Sequence, residues 1–253
     1  MIPTIRTAFP RSVRSVHQIE ITSRCNLKCA YCTHPTMSRP KVDMSRAHYE
    51  RALEWVAHFV NSGSQHELNL AGIGESTMHG HFVEYVRLAR EVVGPNIKLV
   101  FATNGVVHDE AMIAALAPYK PEVWVSLHRP EKAAKAAALY KKHGILHGMT
   151  IDPAVNANDW AGQVKWHNDT PGQIPCQWLR EGKIFVLADG RISRCCLDAS
   201  GIGIIGHVDD PIGSIKTSPY ELCKACYQSI SIDGWDQHLG AAASSRVTLP
   251  VIP

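Results

Sequence analysis

The stretch Ile19-Glu20-Ile21-Thr22-Ser23-Arg24-Cys25-Asn26-Leu27-Lys28-Cys29-Ala30-Tyr31-Cys32 decides how the rest of the chain is read. The run Ile19 to Thr22 alternates apolar and polar residues, as a short strand does. Three thiols then follow at spacings of four and three residues. Cys25, Cys29 and Cys32 at that spacing can converge on one face of a tight loop, where soft thiolates hold iron or zinc. His34 offers a fourth donor, so the residues alone permit a Cys3His zinc site as well as an iron–sulfur site.

Outward from this loop, the pattern alternates helix and strand. Ser45 is placed to cap a helix running to about Asn61, with Leu53, Val56, Phe59 and Val60 at helical spacing. Glu67 to Ala71 reads as a second strand, ending in Gly72-Ile73-Gly74-Glu75-Ser76. Phe82 to Val93 is an amphipathic helix stopped by Gly94-Pro95. A third strand, Lys98 to Ala102, ends in Thr103-Asn104-Gly105. Asp109 caps a helix to about Tyr119. Glu122 to Leu127 is a fourth strand, residues 131–143 a helix, and Gly148 to Asp152 a fifth strand. Such alternation with short links predicts an α/β fold, a parallel sheet or partial TIM-like barrel of about five to six parallel strands, followed by a small C-terminal β-hairpin plus helix extension. Sites in such folds gather at the carboxyl ends of strands. Those ends carry the three cysteines, Gly72 to Glu75, Thr103 and Asn104, Ser126 to His128 and Thr150 to Asp152.

A CxxxCxxC loop after the first strand, with an aromatic residue before the third Cys, resembles the cluster loop of the radical S-adenosylmethionine (SAM) enzymes. The resemblance implies that Cys25, Cys29 and Cys32 bind a [4Fe–4S] cluster whose open iron takes the amino and carboxylate groups of SAM. Gly72-Ile73-Gly74-Glu75 resembles the family's Gly-Gly-Glu-Pro segment beside the methionine end of SAM, with Ser76 where Pro is usual. Tyr31 stands at the family's adenine-facing aromatic position. Thr103-Asn104-Gly105 and Ser126 resemble family positions near SAM. The plainer readings are an ordinary βα turn for Gly72–Glu75, a core aromatic for Tyr31 and a common turn for Thr103–Gly105. His128, Arg129 and Asp152 are substrate-contact candidates by placement at strand ends.

The second half changes character. Asn156 to Thr170 is polar, with Trp160 and Trp166, and reads as a short helix plus a linker. Cys176, Cys195, Cys196, Cys223 and Cys226 then fall within 51 residues. Alternating runs on either side of Asp189-Gly190 read as a β-hairpin, and Cys223-Lys-Ala-Cys226 as a knuckle on a short helix or loop. Four thiols so placed suit a structural zinc or a second cluster. Cys176, Gly190 followed by Cys195, and the CxxC resemble a SPASM/Twitch-type extension, as in enzymes of the 2-deoxy-scyllo-inosamine dehydrogenase type. That resemblance implies a second, auxiliary [4Fe–4S] cluster on Cys176, Cys195, Cys223 and Cys226, with Cys196 as the odd thiol. The division expected is an N-terminal segment 1–16, a radical SAM partial barrel 17–170, an auxiliary-cluster domain 171–228 and a tail 229–253.

Composition bounds the function. The 253 residues are 45% hydrophobic and 19% charged, enough for a large core. Net charge is +3 and pI ≈ 8.4, a weak signal for nucleic acid. No apolar run approaches the roughly 18 residues of a membrane span, and Met1 to Val16 lacks a secretory h-region. Cysteines at metal-ligand spacing without a signal point to a reducing cytoplasm. The resemblance implies reductive cleavage of SAM to a 5′-deoxyadenosyl radical, fed by an external flavodoxin- or ferredoxin-type reductant. That radical would abstract hydrogen from a small polar, amino-bearing or nucleoside-like substrate, giving oxidation or rearrangement. Alternatives are modification of a base in DNA or RNA, modification of a peptide, and a non-catalytic zinc-binding interaction module. Sixteen residues before the first strand count against a leader-peptide-binding domain.

Overall fold

A computed structural model describes residues 10–150, 159–166 and 176–226. Ten strands and five α-helices are seen among them. In chain order they are β1 (Arg11–Ser12), β2 (Ser15–Ile19), α1 (Arg46–Asn61), β3 (Glu67–Asn69), α2 (Phe82–Val93), β4 (Lys98–Thr103), α3 (Glu110–Leu116), β5 (Glu122–Ser126), α4 (Pro130–Lys142) and β6 (Leu146–Thr150). The second half adds α5 (Gln177–Glu181), β7 (Lys183–Val186), β8 (Arg191–Ser193), β9 (Ile204–His207) and β10 (Lys216–Thr217). The main sheet runs β6-β5-β4-β3-β2-β7-β8-β9. Its first six strands pair in parallel, and β8 and β9 are antiparallel. The sheet is open, with β6 and β9 at its edges, so the expected α/β class and parallel partial barrel are both present.

Local sequence explains the layers. Parallel strands need a crossover, and α1 to α4 each return the chain so that the next strand lies beside the last. Ser45 accepts the His48 N–H and Asp109 accepts that of Ala111, satisfying first-turn donors of α1 and α3. Helix α1 buries Tyr49, Leu53, Trp55, Val56 and Phe59; α2 buries Phe82, Tyr85, Val86 and Val93. These stripes cover Ile19, Leu68, Leu99, Phe101, Val123 and Val125 of the strands in one continuous core. Along β4, Leu99, Phe101 and Thr103 are buried while Lys98 and Ala102 are exposed, so one face of the strand packs on the core and the other faces the open side.

The hairpin expected around Asp189-Gly190 is β7–β8, but it is not a separate sheet. β7 lies parallel to β2, with Ser15 opposite Lys183 and Ile19 opposite Val186. β3 ends at Asn69 rather than Ala71, and β6 begins at Leu146 rather than Gly148; Asp152 lies outside the described residues. The short helix expected from Asn156 is absent from its described part, residues 159–166. Trp160, Ala161 and Gly162 have φ of 53°, 59° and 79°, a left-handed turn that cannot continue a helix. Among the described residues no helix is long and apolar enough to cross a membrane.

Candidate functional site

The carboxyl ends of β2 to β6 open into a cleft of about 490 Å³. Its lining includes Cys25, Cys29, Cys32, Tyr31, Gly72, Gly74, Glu75, Thr103, Asn104, Ser126 and His128, so the structure brings together nearly all the sequence-picked positions. Arg129 is not among the lining residues. It precedes α4, and its guanidinium donates to the carbonyl of His128. Thr150, one of the strand-end residues, lines it too, as do Ala71, Ala102 and Trp160, which were not singled out for it. A groove of about 560 Å³ at the opposite strand ends is structural: Arg90 crosses it to the carbonyls of Tyr119, Gly94 and Ile97.

The cysteine loop is held from several sides. The Leu27 N–H points at Cys25 Sγ and the His34 N–H at Cys32 Sγ, both at 3.4 Å. Such bonds favour thiolate, whereas burial, the larger effect, pushes both thiols up. Asn104 Nδ2 donates to Asn26 Oδ1 at 2.7 Å and lies 3.9 Å from Cys25 Sγ, tying the loop to the end of β4. Tyr31 Oη sits 2.8 Å from His128 Nδ1, the rings stack at 5.8 Å, and Trp166 packs edge-on against Tyr31 at 5.4 Å. Trp160 Nε1 donates to the Tyr31 carbonyl. Gln163 Nε2 donates to the carbonyls of Trp160 and Leu197. The strained left-handed turn at Trp160 thus joins the cysteine loop to the segment after β8.

Two sequence readings change in detail. The glycines of the Gly72–Glu75 segment line the cleft with their backbone, and the side a Cβ would occupy faces the chain. A Cβ on Gly72 would lie 2.3 Å from Glu20 Cγ, and one on Gly74 2.3 Å from the Thr22 carbonyl oxygen. They let the end of β3 pack against the end of β2. Glu75 is buried, and its carboxylate is already occupied: Thr103 and Thr77 hydroxyls donate to Oε1 and the Asn104 N–H to Oε2, each at 2.7 Å. Burial raises its pKa despite those donors. Glu75 is therefore first a knot between β3 and β4, holding Thr103 and Asn104 at the cleft.

A second knot escaped the sequence reading. Glu20 and Arg39 form a buried ion pair, Nη1 to Oε2 at 2.7 Å, with both side chains 1% exposed. The Glu20 carboxylate also accepts from the Ile73 and Ala188 N–H groups, and Arg39 Nε donates to the Ala199 carbonyl. The pair joins the cysteine loop, the glycine segment and the C-terminal hairpin.

In the second half, Cys176 caps α5, Cys195 and Cys196 follow β8, and Cys223 lies in a 3-10 turn ahead of Cys226. Cys176, Cys223 and Tyr220 pack around Leu179; Cys195, Cys196, Cys226 and Tyr220 pack around Leu222. Burial pushes Cys223 up to about 12, and Cys195, Cys176 and Cys226 are the thiols that add to it. Cys195 is raised first by its hydrogen bond to Cys196 and then by burial. Cys195 thus lies beside Cys196 and within electrostatic reach of Cys223. Among the described residues, the one set of three metal-binding atoms within 4.8 Å of one another is on His48, His207 and Asp209. His34 turns Nε2 to the Ser23 carbonyl rather than to the thiols. The donors that remain in each set are thiols alone, the ligand chemistry that iron–sulfur clusters take.

A model of the radical SAM superfamily matches residues 19–165. A stretch of 99 residues is 32% identical to the tungsten-containing aldehyde ferredoxin oxidoreductase cofactor-modifying protein of Pyrococcus furiosus, covering 39% of this chain and 26% of that one. The chain spans about a quarter of that relative's length. Among solved structures, BtrN in complex with AdoMet and 2-DOIA aligns over 80% of this chain and 81% of its own, with TM-score 0.65 and 17% identity. The enzyme anSMEcpe with bound AdoMet and a peptide aligns over 78% of each chain (TM-score 0.55, 18%). Streptococcus suis SuiB bound to its precursor peptide SuiA aligns over 94% of this chain and 68% of its own (TM-score 0.55, 15%). At these identities the likeness is one of fold.

Proposed function

The chain belongs to the radical SAM superfamily, and from that premise we propose that it abstracts hydrogen from a small polar, amino-bearing or nucleoside-like substrate. SAM and one [4Fe–4S] cluster are the superfamily's cofactors; when bound they supply a 5′-deoxyadenosyl radical that can break an unactivated C–H bond. In this reading Cys25, Cys29 and Cys32 hold that cluster. The observation that carries the proposal is the convergence of these thiols with the Gly72–Glu75 backbone, Thr103, Asn104 and Ser126 in one cleft at the strand ends.

The chain's own residues would do the following. Glu75 fixes Thr103 and the Asn104 backbone, so polar groups meet the ligand preorganised rather than solvated. Tyr31, His128 and Trp160 form an aromatic wall beside the cysteine loop, keeping water from a reactive centre. Tyr31 and His128 exchange a proton-bearing hydrogen bond at 2.8 Å and can present one donor and one acceptor to a hydroxyl- or amine-bearing substrate. Cys176, Cys195, Cys223 and Cys226 would hold a second [4Fe–4S] cluster, able to take an electron from the substrate and make the net change an oxidation.

The fold likeness to BtrN, crystallised with 2-DOIA, supports a small substrate, and that to SuiB and anSMEcpe, crystallised with peptides, supports the second reading, a peptide. Deuterium transfer separates them. Cluster-loaded protein is incubated with SAM, dithionite and either deuterated aminocyclitols, amino sugars and nucleosides or deuterated peptides. Label entering 5′-deoxyadenosine from the first group is expected; label from peptides alone would overturn the small-substrate proposal.

A further inference from the structure

Away from the cleft, one face of α1 meets the turn after β9. His48, Arg51 and Trp55 stand at i, i+3 and i+7 on that helix and so share a face. Each touches the turn. Trp55 Nε1 donates to the Val208 carbonyl at 2.9 Å, a buried bond that fixes helix and turn together. Arg51 Nε lies 3.6 Å from Asp209 Oδ1. The His48 and His207 rings meet edge to face at 5.1 Å. The turn itself is rigid: the His207 N–H donates to Asp210 Oδ2, the Asp210 N–H to the His207 carbonyl, and the Val208 N–H to the Gly190 carbonyl.

The arrangement sets an imidazole nitrogen against a carboxylate. His207 Nε2 lies 3.4 Å from the Asp189 carbonyl oxygen, which can only accept, so the proton belongs on Nε2. Nδ1 then carries a lone pair, which the Asp209 N–H approaches at 3.3 Å. Nδ1 also lies 3.0 Å from Asp209 Oδ2, while Arg51 occupies the other carboxylate oxygen. A cation held by both groups would replace that N–H as the partner of the lone pair. The Asp189 carbonyl is the usual outer partner that orients a metal-binding imidazole. With bonds of about 2.0–2.1 Å, a 3.0 Å separation gives an angle of about 95° at a bound ion, within the range of an open zinc site.

Gly190 completes the pattern. A Cβ there would lie 2.6 Å from His207 Nε2 and 3.0 Å from His48 Nδ1, so the missing side chain leaves room for both imidazoles. Ligand atoms of His48, His207 and Asp209 all fall within 4.8 Å of one another, the span a single ion needs. We propose that His48, His207 and Asp209 form a binding site for a divalent zinc-class ion, closed by water, that clasps α1 to the C-terminal hairpin. Two imidazoles and one carboxylate are the donors that zinc accepts, with a fourth position left for solvent. The site is separate from both thiol sets, and none of its residues lines the cleft.

The test uses iron–sulfur-loaded protein, washed with chelator under anaerobic conditions and titrated calorimetrically with Zn²⁺. Cluster absorbance is followed in parallel, so that zinc replacing iron is seen. One zinc per chain is expected without loss of iron, together with a rise in the unfolding midpoint. Asp209→Asn, His48→Gln and His207→Ala should each weaken zinc binding by roughly tenfold or more, and abolish the midpoint rise, while SAM cleavage is unchanged. Asp209 is exposed, so its variant tests the site without disturbing packing. Absence of a saturable site, which would mean that a proton alone bridges His207 and Asp209, would overturn the proposal. So would equal zinc affinity in Asp209→Asn and wild type, or zinc uptake matched by iron release.

Discussion

Replacing Arg39 with Met tests the idea that a buried ion pair locks the two cysteine-bearing halves together. Methionine fills the aliphatic space of the arginine stem and removes its charge. Glu20 would then be left with the Ile73 and Ala188 N–H groups as donors and no countercharge. Removing one partner of a buried pair costs about 3–5 kcal/mol, because the remaining charge stays out of water. For a chain of this size each kcal/mol moves the unfolding midpoint by about 2–4 °C, so a fall of roughly 6–20 °C is expected. Thermal unfolding of metal-free protein followed by circular dichroism reads it. One sign identifies the cause: Glu20→Gln added to Arg39→Met should recover stability, since it removes the stranded charge. A midpoint within about 2 °C of wild type, or a double variant less stable than the single one, would refute the reasoning.

Glu75→Gln places an amide where Thr103, Thr77 and Asn104 all donate, and should cost about 1–3 kcal/mol. It should also weaken SAM binding to cluster-loaded protein, measured by equilibrium dialysis; unchanged affinity would mean that the knot does not shape the cleft. Cys195→Ala should remove about four irons per chain, whereas Cys196→Ala should leave iron content intact; the reverse outcome would exchange their roles. Burial pulls His17 down to about 4, so it is neutral in the folded chain. The unfolded chain takes up its proton first as pH drops below 6.5, so stability falls from there by His17's contribution, at most about 3 kcal/mol, and that contribution is fully lost by about pH 4. In urea titrations at pH 7.5 and 5, His17→Phe, which keeps the stack on Trp178, should lose less stability than wild type; equal losses would exclude His17 as the cause.

What could be read in the sequence was whatever lay at the end of a strand. Cys25 to Cys32, Gly72 to Glu75, Thr103, Asn104 and Ser126 each follow an apolar run, and parallel strands joined by short helices bring such ends together. The partners of those residues were not legible. Arg39 sits in a polar, Pro-punctuated loop and meets Glu20 and Ala199 only through the fold, across 19 and 160 positions. Gly72 and Gly74 looked like room for a ligand, yet the atoms they make room for belong to Glu20, Thr22, Ser23 and Arg24, just after β2, a long-range contact. Glu75 looked like a free acceptor because two of its donors, Thr103 and Asn104, come from the end of β4. The pairing of β7 with β2 escaped for the same reason: a hairpin signal is local, and the parallel neighbour of its first strand lies over 160 residues away. Trp160 sat in a polar stretch with a helical look, and its left-handed turn makes long-range bonds, Trp160 to the Tyr31 carbonyl and Gln163 to that of Leu197, that no local pattern shows.

The most direct measurement of the central claim is anaerobic reconstitution with iron and sulfide, counting iron per chain and assaying 5′-deoxyadenosine from SAM under dithionite. Wild type should hold about eight irons and form 5′-deoxyadenosine; the Cys25→Ala/Cys29→Ala/Cys32→Ala variant should hold about four and form none. SAM cleavage that survives in the triple variant, or zinc in place of iron at both thiol sets, would contradict the account.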